Sequence, residues 1–457
     1  MKFDDLTDQQ RAVSIDAARD EDYPDSPARR RWFRGLAATG VVSTPGSAVF
    51  AKSRVLIRPP AVFDVSDASA IVNLHANEAS TLSVAWSVDR AAFADNADRL
   101  TRSAPQAVDP TRSSALNVSL SRLPSAATIY YAAYRASERI SEIQQFNTPP
   151  RANARGDFSL AFSGDMEERY QPFRIFDVVA EQRADAFLHL GDTIYADIPR
   201  RDFSPSLNHY RRKHATNRDD RSLQRLMAST AFIATWDDHE IENDAHGGHA
   251  SMALAEHVFR EYWPARAEPS FGLYRKLALG SDLELFVLDT RRFRSVQSMD
   301  DGPNKTMLGP AQKLRFLKDF SASKAKYRLI ATSVPFHGAS KDAWGNYATE
   351  RDELLDAFRA ARREHDATTV LLSADYHFAR EWPRNEKQGV YEFMAGPLAT
   401  FLTFEKDNGA RERHTRGNHF VFGDRFNFGL LRYVAQTREL KVSYFDDTGK
   451  LLHSRTI

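Results

Sequence analysis

The chain has 457 residues, no cysteine and a formal net charge of +1 at pH 7. Its length predicts two domains with additional segments. The charge balance excludes a whole-molecule attraction to nucleic acid or to a membrane surface, and the lack of cysteine excludes disulfides, thiolate metal sites and a cysteine nucleophile. No apolar run approaches the ~18 residues that a transmembrane helix needs.

Residues 1–51 have the organisation of an export signal. An arginine-rich stretch at 29–34 precedes a mildly apolar run from Gly35 to Val42, and small residues follow as far as Ala51. The core Arg30-Arg31-Trp32-Phe33 resembles the twin-arginine signal, which exports folded proteins. We predict export by the twin-arginine machinery to the periplasm or the cell exterior. An arginine-rich flexible tail is the alternative.

Residues 52–149 show the period-2 alternation of half-buried antiparallel strands. The clearest runs are Leu82–Val88, Leu116–Ser121 and Ile129–Ala133. Serine, aspartate, asparagine and proline separate the runs, as turns require. This pattern predicts a small all-β sandwich of the immunoglobulin or fibronectin type III kind. We expect this domain to have a structural role or to shape the substrate site, because its sequence contains no cluster of metal-binding or nucleophilic residues.

From residue 150 to residue 457, short apolar runs alternate with longer amphipathic ones, which predicts an α/β domain with helices flanking stacked sheets. Helices are predicted over Glu168–Arg183, from Pro310 with Leu314 on its apolar stripe, and from about Thr349. The predicted strands are Phe158–Phe162, Ala186–Leu190, Ala231–Thr235, Leu283–Leu288, Arg328–Thr332, Thr369–Leu372 and Val390–Met394.

Acidic and histidine side chains follow these strands where each one ends. A cluster of like charges at one sheet edge is costly unless cations neutralise it, so the pattern predicts a metal site. Aspartate is a hard oxygen ligand that can bridge two cations, and a tyrosinate oxygen suits Fe(III) better than magnesium. The residues at the strand ends are Asp165, Asp192, Tyr195, Asp237, Asp238, His239, Glu240, Asp289, Arg291, His337, Asp375 and His377.

Four motifs in this set resemble the PhoD-like alkaline phosphatases and phosphodiesterases, which are calcineurin-like metallophosphoesterases. The resemblance covers the whole chain, including the twin-arginine signal, the β-sandwich and a final strand pair over Leu430–Ser454. Its most specific part is the Trp-Asp-Asp-His-Glu block. The motifs are Gly191-Asp192-x-x-Tyr195, Trp236-Asp237-Asp238-His239-Glu240, Leu288-Asp289-Thr290-Arg291 and Asp375-Tyr376-His377.

The resemblance implies a role for each matching residue. Asp192 would bridge two metal ions and Tyr195 would bind an iron-like one, while His239 would contact the phosphate and the leaving group. Asp165 occupies a ligand position where many relatives have cysteine. A donor set of oxygen and nitrogen atoms alone lowers the preference for soft, thiophilic ions. The expected metal pair is Fe(III) with Ca, with Mn or Mg as alternatives. The remaining implied ligands are Asp238, Asp375 and His377.

Five further residues have more than one interpretation. Asp237 and Glu240 are expected to orient Asp238 and His239, with Asn243 joining them. Arg291 either contacts phosphate or forms an ion pair with Asp289. His337 is a candidate ligand.

The function implied is hydrolysis of phosphoester substrates by a hydroxide that two metal ions activate. His239 would donate a proton to the leaving group or stabilise the phosphoryl oxygens. No nucleophile elbow, P-loop or dinucleotide fingerprint suggests another chemistry. The alternatives are a phospholipase D-like phosphodiesterase and a non-catalytic cell-surface binding protein.

Overall fold

The computed structural model describes residues 55–95, 99–382, 389–407, 409–415 and 418–457. It confirms the predicted α/β class, with stacked sheets and helices on their outer faces. The predicted export signal at 1–51 lies outside the described residues. None of the helices in the described ranges has the length and apolar character that crossing a bilayer requires.

The strands of the N-terminal third have two to eight residues and pair with one another in antiparallel orientation. Each of the three runs singled out by alternation falls within a strand, although Val88 itself lies beyond the strand end and is 55% exposed. These strands are β1 (Ala61–Phe63), β2 (Ser69–His75), β3 (Ser80–Ser87), β4 (Thr101–Arg102), β5 (Gln106–Val108), β6 (Ala115–Ser121), β7 (Thr128–Arg135), β8 (Glu138–Arg139) and β9 (Gln144–Asn147).

All seven strands predicted after residue 150 are present, with ends shifted by at most one residue. The expected final strand pair is instead part of a three-stranded meander. The strands are β10 (Phe158–Ser163), β11 (Ala186–His189), β12 (Ala231–Ala234), β13 (Arg275–Ala278), β14 (Leu283–Val287), β15 (Tyr327–Ala331), β16 (Thr368–Ser373), β17 (Ala379–Trp382), β18 (Val390–Met394), β19 (Phe420–Phe422), β20 (Asn427–Val434), β21 (Glu439–Asp446) and β22 (Leu451–Thr456).

The prediction of one helix over Glu168–Arg183 is wrong. A short 3-10 turn over Glu168–Tyr170 comes first, and the α-helix begins only at Ile175 because Pro172 lacks the N–H that a helix interior needs. The described α-helices are α1 (Ala92–Asp95), α2 (Ile175–Glu181), α3 (Leu207–Arg218), α4 (Arg221–Met227), α5 (Met252–Tyr262), α6 (Gly309–Ala322), α7 (Ala348–His365), α8 (Thr403–Lys406) and α9 (Ala410–Thr415).

Two large sheets pack face to face and form the centre of the molecule. The nine-stranded sheet has the order β22-β21-β20-β10-β11-β12-β1-β2-β6, and the seven-stranded sheet has the order β13-β14-β15-β16-β18-β17-β19. Strands β10, β11 and β12 run parallel, as do β14, β15, β16 and β18. Parallel strands place their carboxyl ends at one edge, which is where the candidate ligands follow them.

Apolar layers fill the space between the sheets and beneath the helices. Leu188 and Leu285, both fully buried, belong to the core between the two large sheets. Phe259 of α5 packs on the outer face of the nine-stranded sheet, and Phe316 of α6 packs on that of the seven-stranded sheet. Leu314, predicted on the apolar stripe of α6, is 73% exposed, because the helix buries the face that carries Phe316 and Phe320.

The N-terminal strands form two facing layers, but one of them is continuous with a large sheet. A six-stranded sheet built on β3 and β7 packs against β1, β2 and β6. Strand β1 pairs in parallel with β12, with Phe63 opposite Phe232, so β1, β2 and β6 extend the nine-stranded sheet. The proposed division of the chain into 52–149 and 150–457 stays a prediction.

Candidate metal centre

The predicted ligands converge at the carboxyl ends of parallel strands from both large sheets. Asp165 follows β10 and Asp192 follows β11, whereas Asp238 and His239 follow β12. Asp375 and His377 approach from the seven-stranded sheet, after β16. The two sheets therefore supply opposite walls of one site.

Tight loops aim these side chains back toward the sheet edge. Gly191 has φ 113°, and a Cβ atom there would lie only 2.6 Å from the Cβ atom of Asp237, so the turn requires glycine. The loops after β10 and β11 are joined by a hydrogen bond from the N–H of Met166 to the carbonyl of Asp192, at 2.9 Å. Left-handed backbone conformations, which cluster at functional sites, occur at Asp165, Asp192, Asp375 and His377.

Asp192 belongs to two groups that each have the spacing of a metal site. In the first group, ligand atoms of Asp165, Asp192 and His377 lie within 4.8 Å of one another. The second group has the same spacing and combines Asp192 with Asp238 and His239. The hydroxyl of the fully buried Tyr195 lies 3.0 Å from Nε2 of His377, so Tyr195 adjoins the first group.

A third group of carboxylates lies behind the first two. Asp237, Asp342 and Asp375 also bring ligand atoms within 4.8 Å of one another. The Arg291 guanidinium contacts two of the three, at 2.6 Å from Oδ1 of Asp237 and also against Asp342. This group therefore already holds a positive charge, which also reaches the second group, since Nη2 of Arg291 lies 3.7 Å from Oδ1 of Asp238.

Burial makes three carboxylates of the centre favour their neutral form in the absence of a cation. Burial, followed by the charge of Asp237, raises the pKa of Asp165 and of Asp375 well above the ordinary value. Burial also raises the pKa of Asp192, although the charge of His239 opposes this. Burial lowers the pKa of His377 to about 3, which leaves a neutral imidazole able to bind a metal. A bound cation inverts the preference of the carboxylates.

Buried carboxylate oxygens without hydrogen-bond donors are a second indication that these side chains fit metal ions. Oδ2 of Asp165 and Oδ2 of Asp237 are buried and have no hydrogen-bond partner in the described part of the chain. A buried carboxylate oxygen without a donor is costly unless a cation coordinates it. Oxygen and imidazole donors suit hard or borderline ions such as Fe, Mn, Mg or Ca.

His239 is held at the mouth of the centre by Asp197. Its Nδ1 atom lies 2.7 Å from Oδ1 of Asp197, and its ring stacks on Tyr195 with the centroids 4.2 Å apart. Burial opposes a charge on His239, but Asp197, Asp238 and Asp192 outweigh burial and raise the pKa of His239. With Nδ1 engaged by Asp197, Nε2 is the ring atom available to a ligand.

The sequence model of the PhoD-like phosphatase family matches residues 160–444, more than half of the chain. The chain belongs to the PhoD-like phosphatase family. Alkaline phosphatase D of Bacillus subtilis (strain 168) is 26% identical to this chain over an alignment of 340 positions, which covers 62% of this chain and 57% of that relative. The chain thus spans 57% of the length of this curated relative.

Two solved structures share the fold of this PhoD-like chain. A structure of PhoD superimposes with a TM-score of 0.74 at 18% identity, covering 91% of this chain and 94% of that one. Purple acid phosphatase PPD1 from yellow lupin (Lupinus luteus) seeds superimposes with a TM-score of 0.60 at 13% identity, covering 87% and 73%. The two superpositions show that the three chains share one fold.

Two acidic residues of the PhoD-like Trp-Asp-Asp-His-Glu block contact other partners than expected. Glu240 accepts hydrogen bonds from the backbone N–H groups of Asp192 at 3.1 Å, Thr193 at 2.6 Å and Asp237 at 2.9 Å. It therefore joins the loops after β11 and β12 instead of orienting the side chains of Asp238 and His239. The side chain of Asp237 accepts from Arg291 and from Ser333 Oγ, each at 2.6 Å.

Arg291 is fully buried, and the expected ion pair with Asp289 is wrong. Its guanidinium pairs with Asp237 and Asp342, while Asp289 accepts the backbone N–H of Arg291 at 3.0 Å and the indole N–H of Trp236 at 2.8 Å. With no exposed surface, Arg291 is not placed for the alternative contact with phosphate. It serves to neutralise carboxylates beneath the centre.

His337 and Asn243 lie beside the predicted ligands without joining them. Nδ1 of His337 lies 2.8 Å from Oε2 of Glu392, and its ring stacks on Trp382, with the centroids 5.2 Å apart. His337 belongs to none of the three metal-competent groups found among the described residues. Asn243 contributes through its backbone, whose N–H donates to Oδ2 of Asp197 at 3.1 Å.

Three contributors to the site have no place in the sequence-based prediction. Asp197 follows Asp192 by five residues and lies two residues beyond the Gly191-Asp192-x-x-Tyr195 motif, so its spacing offered a signal. Asp342 lies in a loop without any pattern. Asn217, near the end of α3, is fully buried and donates from Nδ2 to the carbonyls of Met166 at 3.0 Å and Thr193 at 2.9 Å.

Proposed function

We propose that this chain is a metal-dependent phosphoester hydrolase. The observation that carries the proposal is the position of Asp192, which belongs to two of the three groups with metal-site spacing. Two cations that share one carboxylate are the arrangement used for in-line displacement at phosphorus. The family membership and the relative named alkaline phosphatase D favour phosphoesters as substrates.

The side chains divide into two sets around the shared carboxylate. Asp165, Tyr195 and His377 would hold one cation together with Asp192, and Asp238 would hold the second with Asp375 nearby. When bound, such a pair neutralises phosphoryl oxygens and makes water a stronger acid and so a source of nucleophile.

His239 would act on the substrate itself. Asp197 accepts the Nδ1 proton of His239, so the ring presents Nε2 outward with its orientation fixed. From there Nε2 can hydrogen-bond a phosphoryl oxygen or protonate the departing alkoxide. Tyr195 stacks on one face of the ring and limits its rotation.

Fe(III) with Ca is the proposed metal pair, with Mn or Mg as alternatives. A phenolate oxygen at Tyr195 favours Fe(III), and the carboxylate-rich second group suits a hard divalent ion. Elemental analysis of protein purified without added metal tests this directly. A visible charge-transfer band that disappears in Tyr195→Phe is expected, whereas active, iron-free and colourless protein would refute the iron assignment.

The activity is tested with chromogenic phosphomonoesters and phosphodiesters, with and without chelator. We expect turnover that chelator abolishes, that added metal restores and that Asp192→Asn loses. Chelator-insensitive turnover, or full activity in the variant, rejects the proposal. A preference for phosphatidylcholine would favour the phospholipase D-like alternative, and folded protein that binds no metal would favour the binding-protein alternative.

Export is a separate part of the proposal, and it rests on the sequence of residues 28–51. A basic stretch, a weakly apolar run and small residues occur there in the order of an export signal. The test is to replace Arg30 and Arg31 together with lysine in the full chain and to follow the protein by cell fractionation. Loss of export supports the twin-arginine route, and unchanged export rejects it.

A further inference from the structure

Two buried arginines lie next to each other where α3 and α5 meet the N-terminal strands. Arg58 is 6% exposed and Arg218 is 2% exposed. The Arg58 guanidinium lies 5.5 Å from the centre of the Tyr262 ring, and Arg218 donates to the backbone carbonyl of Tyr262. Arg218 also lies 5.3 Å from the ring of Trp263.

The carboxylates around this cluster do not balance its charge. Nε of Arg58 lies 3.0 Å from Asp219, whose side chain is half exposed. No carboxylate of the described residues lies within 4.0 Å of Arg218. Glu261 is already bound by Arg211, with contacts of 2.7 and 2.6 Å. One positive charge thus remains buried without a counterion, which is costly.

Hydrogen-bond donors in the cluster also lack acceptors. Nη1 of Arg58 and Nε of Arg218 are buried and unpartnered among the described residues. The indole of Trp263, which can only donate, gives its N–H to Nδ1 of His214 at 3.3 Å. The proton of neutral His214 is therefore on Nε2, and that atom also has no partner in the described ranges.

The facing sheet adds two further polar groups. The hydroxyl of Tyr131 and the amide of Gln144 are buried and unpartnered within the described part of the chain, and the two residues are opposite each other on β7 and β9. The charge of Arg218 opposes the effect of burial on the pKa of Tyr131, so the hydroxyl lies within its field. Apart from the Gln144 carbonyl, every unpartnered atom of this set can donate a hydrogen bond.

We propose that this cluster is an internal binding site for one small monovalent anion of chloride size. Two guanidinium charges against one carboxylate leave a net charge that one such ion balances, and the unpartnered donors can coordinate it. Water could accept some of these bonds but could not neutralise the charge. A large oxyanion is disfavoured because the rings of Phe63, Tyr262 and Trp263 enclose the guanidinium groups.

Bromide tests the site directly, because it replaces chloride and scatters anomalously. Crystals of the full chain in sodium bromide are expected to show an anomalous peak between Arg58 and Arg218. In solution, sodium chloride or bromide is expected to raise the Tm by about 2 °C above sodium methanesulfonate at the same ionic strength. Wild-type protein in bromide with no anomalous peak at this position, or an equal Tm in all three salts, would overturn the proposal.

A matched pair of variants separates the site from general loss of stability. Arg218→Met should lose both the bromide peak and the anion-specific rise in Tm. Arg328→Met is the control, because Arg328 is also buried and donates to the carbonyls of Phe320 at 2.9 Å and Ser323 at 2.8 Å. The control should keep both signals. An Arg218→Met protein that retains them contradicts the proposal, and if this variant does not fold, the wild-type anomalous map decides.

Discussion

Oδ1 of Asp197 lies 2.7 Å from Nδ1 of His239, and this contact fixes which ring nitrogen of His239 faces the metal centre. Asp197→Asn keeps the shape of the side chain but removes its charge. We expect kcat for phosphoester hydrolysis to fall by about 10²-fold, the lower range for a lost general acid. Metal content, measured by elemental analysis, should stay unchanged, because Asp197 belongs to no metal-competent group of the described residues.

Asp202→Asn is the control for that experiment. Asp202 is on the segment that follows the same motif, but its side chain is 59% exposed and contacts Arg201 at 4.0 Å. The control should retain wild-type kcat. Wild-type kcat in Asp197→Asn would show that His239 is oriented by other contacts or is dispensable.

Asn217 joins the two loops that present Asp165 and Asp192, since its Nδ2 atom donates to the carbonyls of both Met166 and Thr193. Asn217→Leu preserves the volume but removes these donors, so the loops should separate slightly. We expect metal affinity, measured by competition with a chromophoric chelator, to fall by about 10-fold or more, as for other residues that support ligands indirectly.

The matched control is Asn147→Leu. Asn147 also bridges two segments, donating to Asp185 at 2.9 Å, but it lies on β9 in the N-terminal strands. Its replacement should leave metal affinity unchanged. Equal losses in the two variants would mean that the effect of Asn217 is a general one on stability.

The strands and their terminal residues were predictable because buried parallel strands are short continuous apolar runs. Each run between Phe158 and Met394 marked its own end, and candidate ligands follow β10, β11, β12 and β16 within a few residues. Where each helix begins was harder to predict. The apolar positions of residues 168–183 fit a helix, but Pro172 prevents one from forming across it. Leu314 was wrongly predicted on the face that packs against the sheet, because the helical pattern alone does not determine which side of the apolar stripe is buried.

The contacts beneath the centre could not be predicted, because they depend on tertiary packing. Asp342 meets Arg291 across 51 residues of chain, and Asn217 meets Thr193 across 24. Neither residue lies in an apolar pattern or at the end of a strand. Sequence reasoning therefore identified the members of the two groups that share Asp192, together with Asp237, Glu240 and Arg291 beside them, but missed Asp197, Asp342 and Asn217.

Arg291 offers a test of the charge balance below the centre. Its guanidinium is fully buried between Asp237 and Asp342, so Arg291→Met leaves Asp237 without a counterion and leaves Asp342 with Arg294 alone, at 2.8 Å. We expect the free energy of unfolding, measured in urea, to fall by about 3–5 kcal/mol. Adding Asp237→Asn to the variant should restore part of the loss, because Arg291 is the cation that pairs with Asp237 among the described residues. If the double variant is no more stable than Arg291→Met, the Arg291–Asp237 contact does not carry the effect.

Glu392 predicts a pH dependence of stability that is separate from the metal centre. Burial alone would raise its pKa, but the hydrogen bond and charge of His337, with Arg380 and Ser373, lower the pKa to about 2. The pKa of glutamate in the unfolded chain is near 4.3, so this carboxylate contributes about 3 kcal/mol to the free energy of unfolding above that pH and progressively less as the pH falls toward 2.

In urea titrations between pH 3 and pH 7, Glu392→Gln should therefore be less stable than wild type. The difference in the free energy of unfolding should be constant at neutral pH and should shrink below about pH 4.5. Glu381→Gln is the control, since Glu381 is also buried and pairs with a histidine, His453, at 2.5 Å. A difference for Glu392→Gln that does not change between pH 7 and pH 3 would mean that packing, and not its charge, accounts for its contribution.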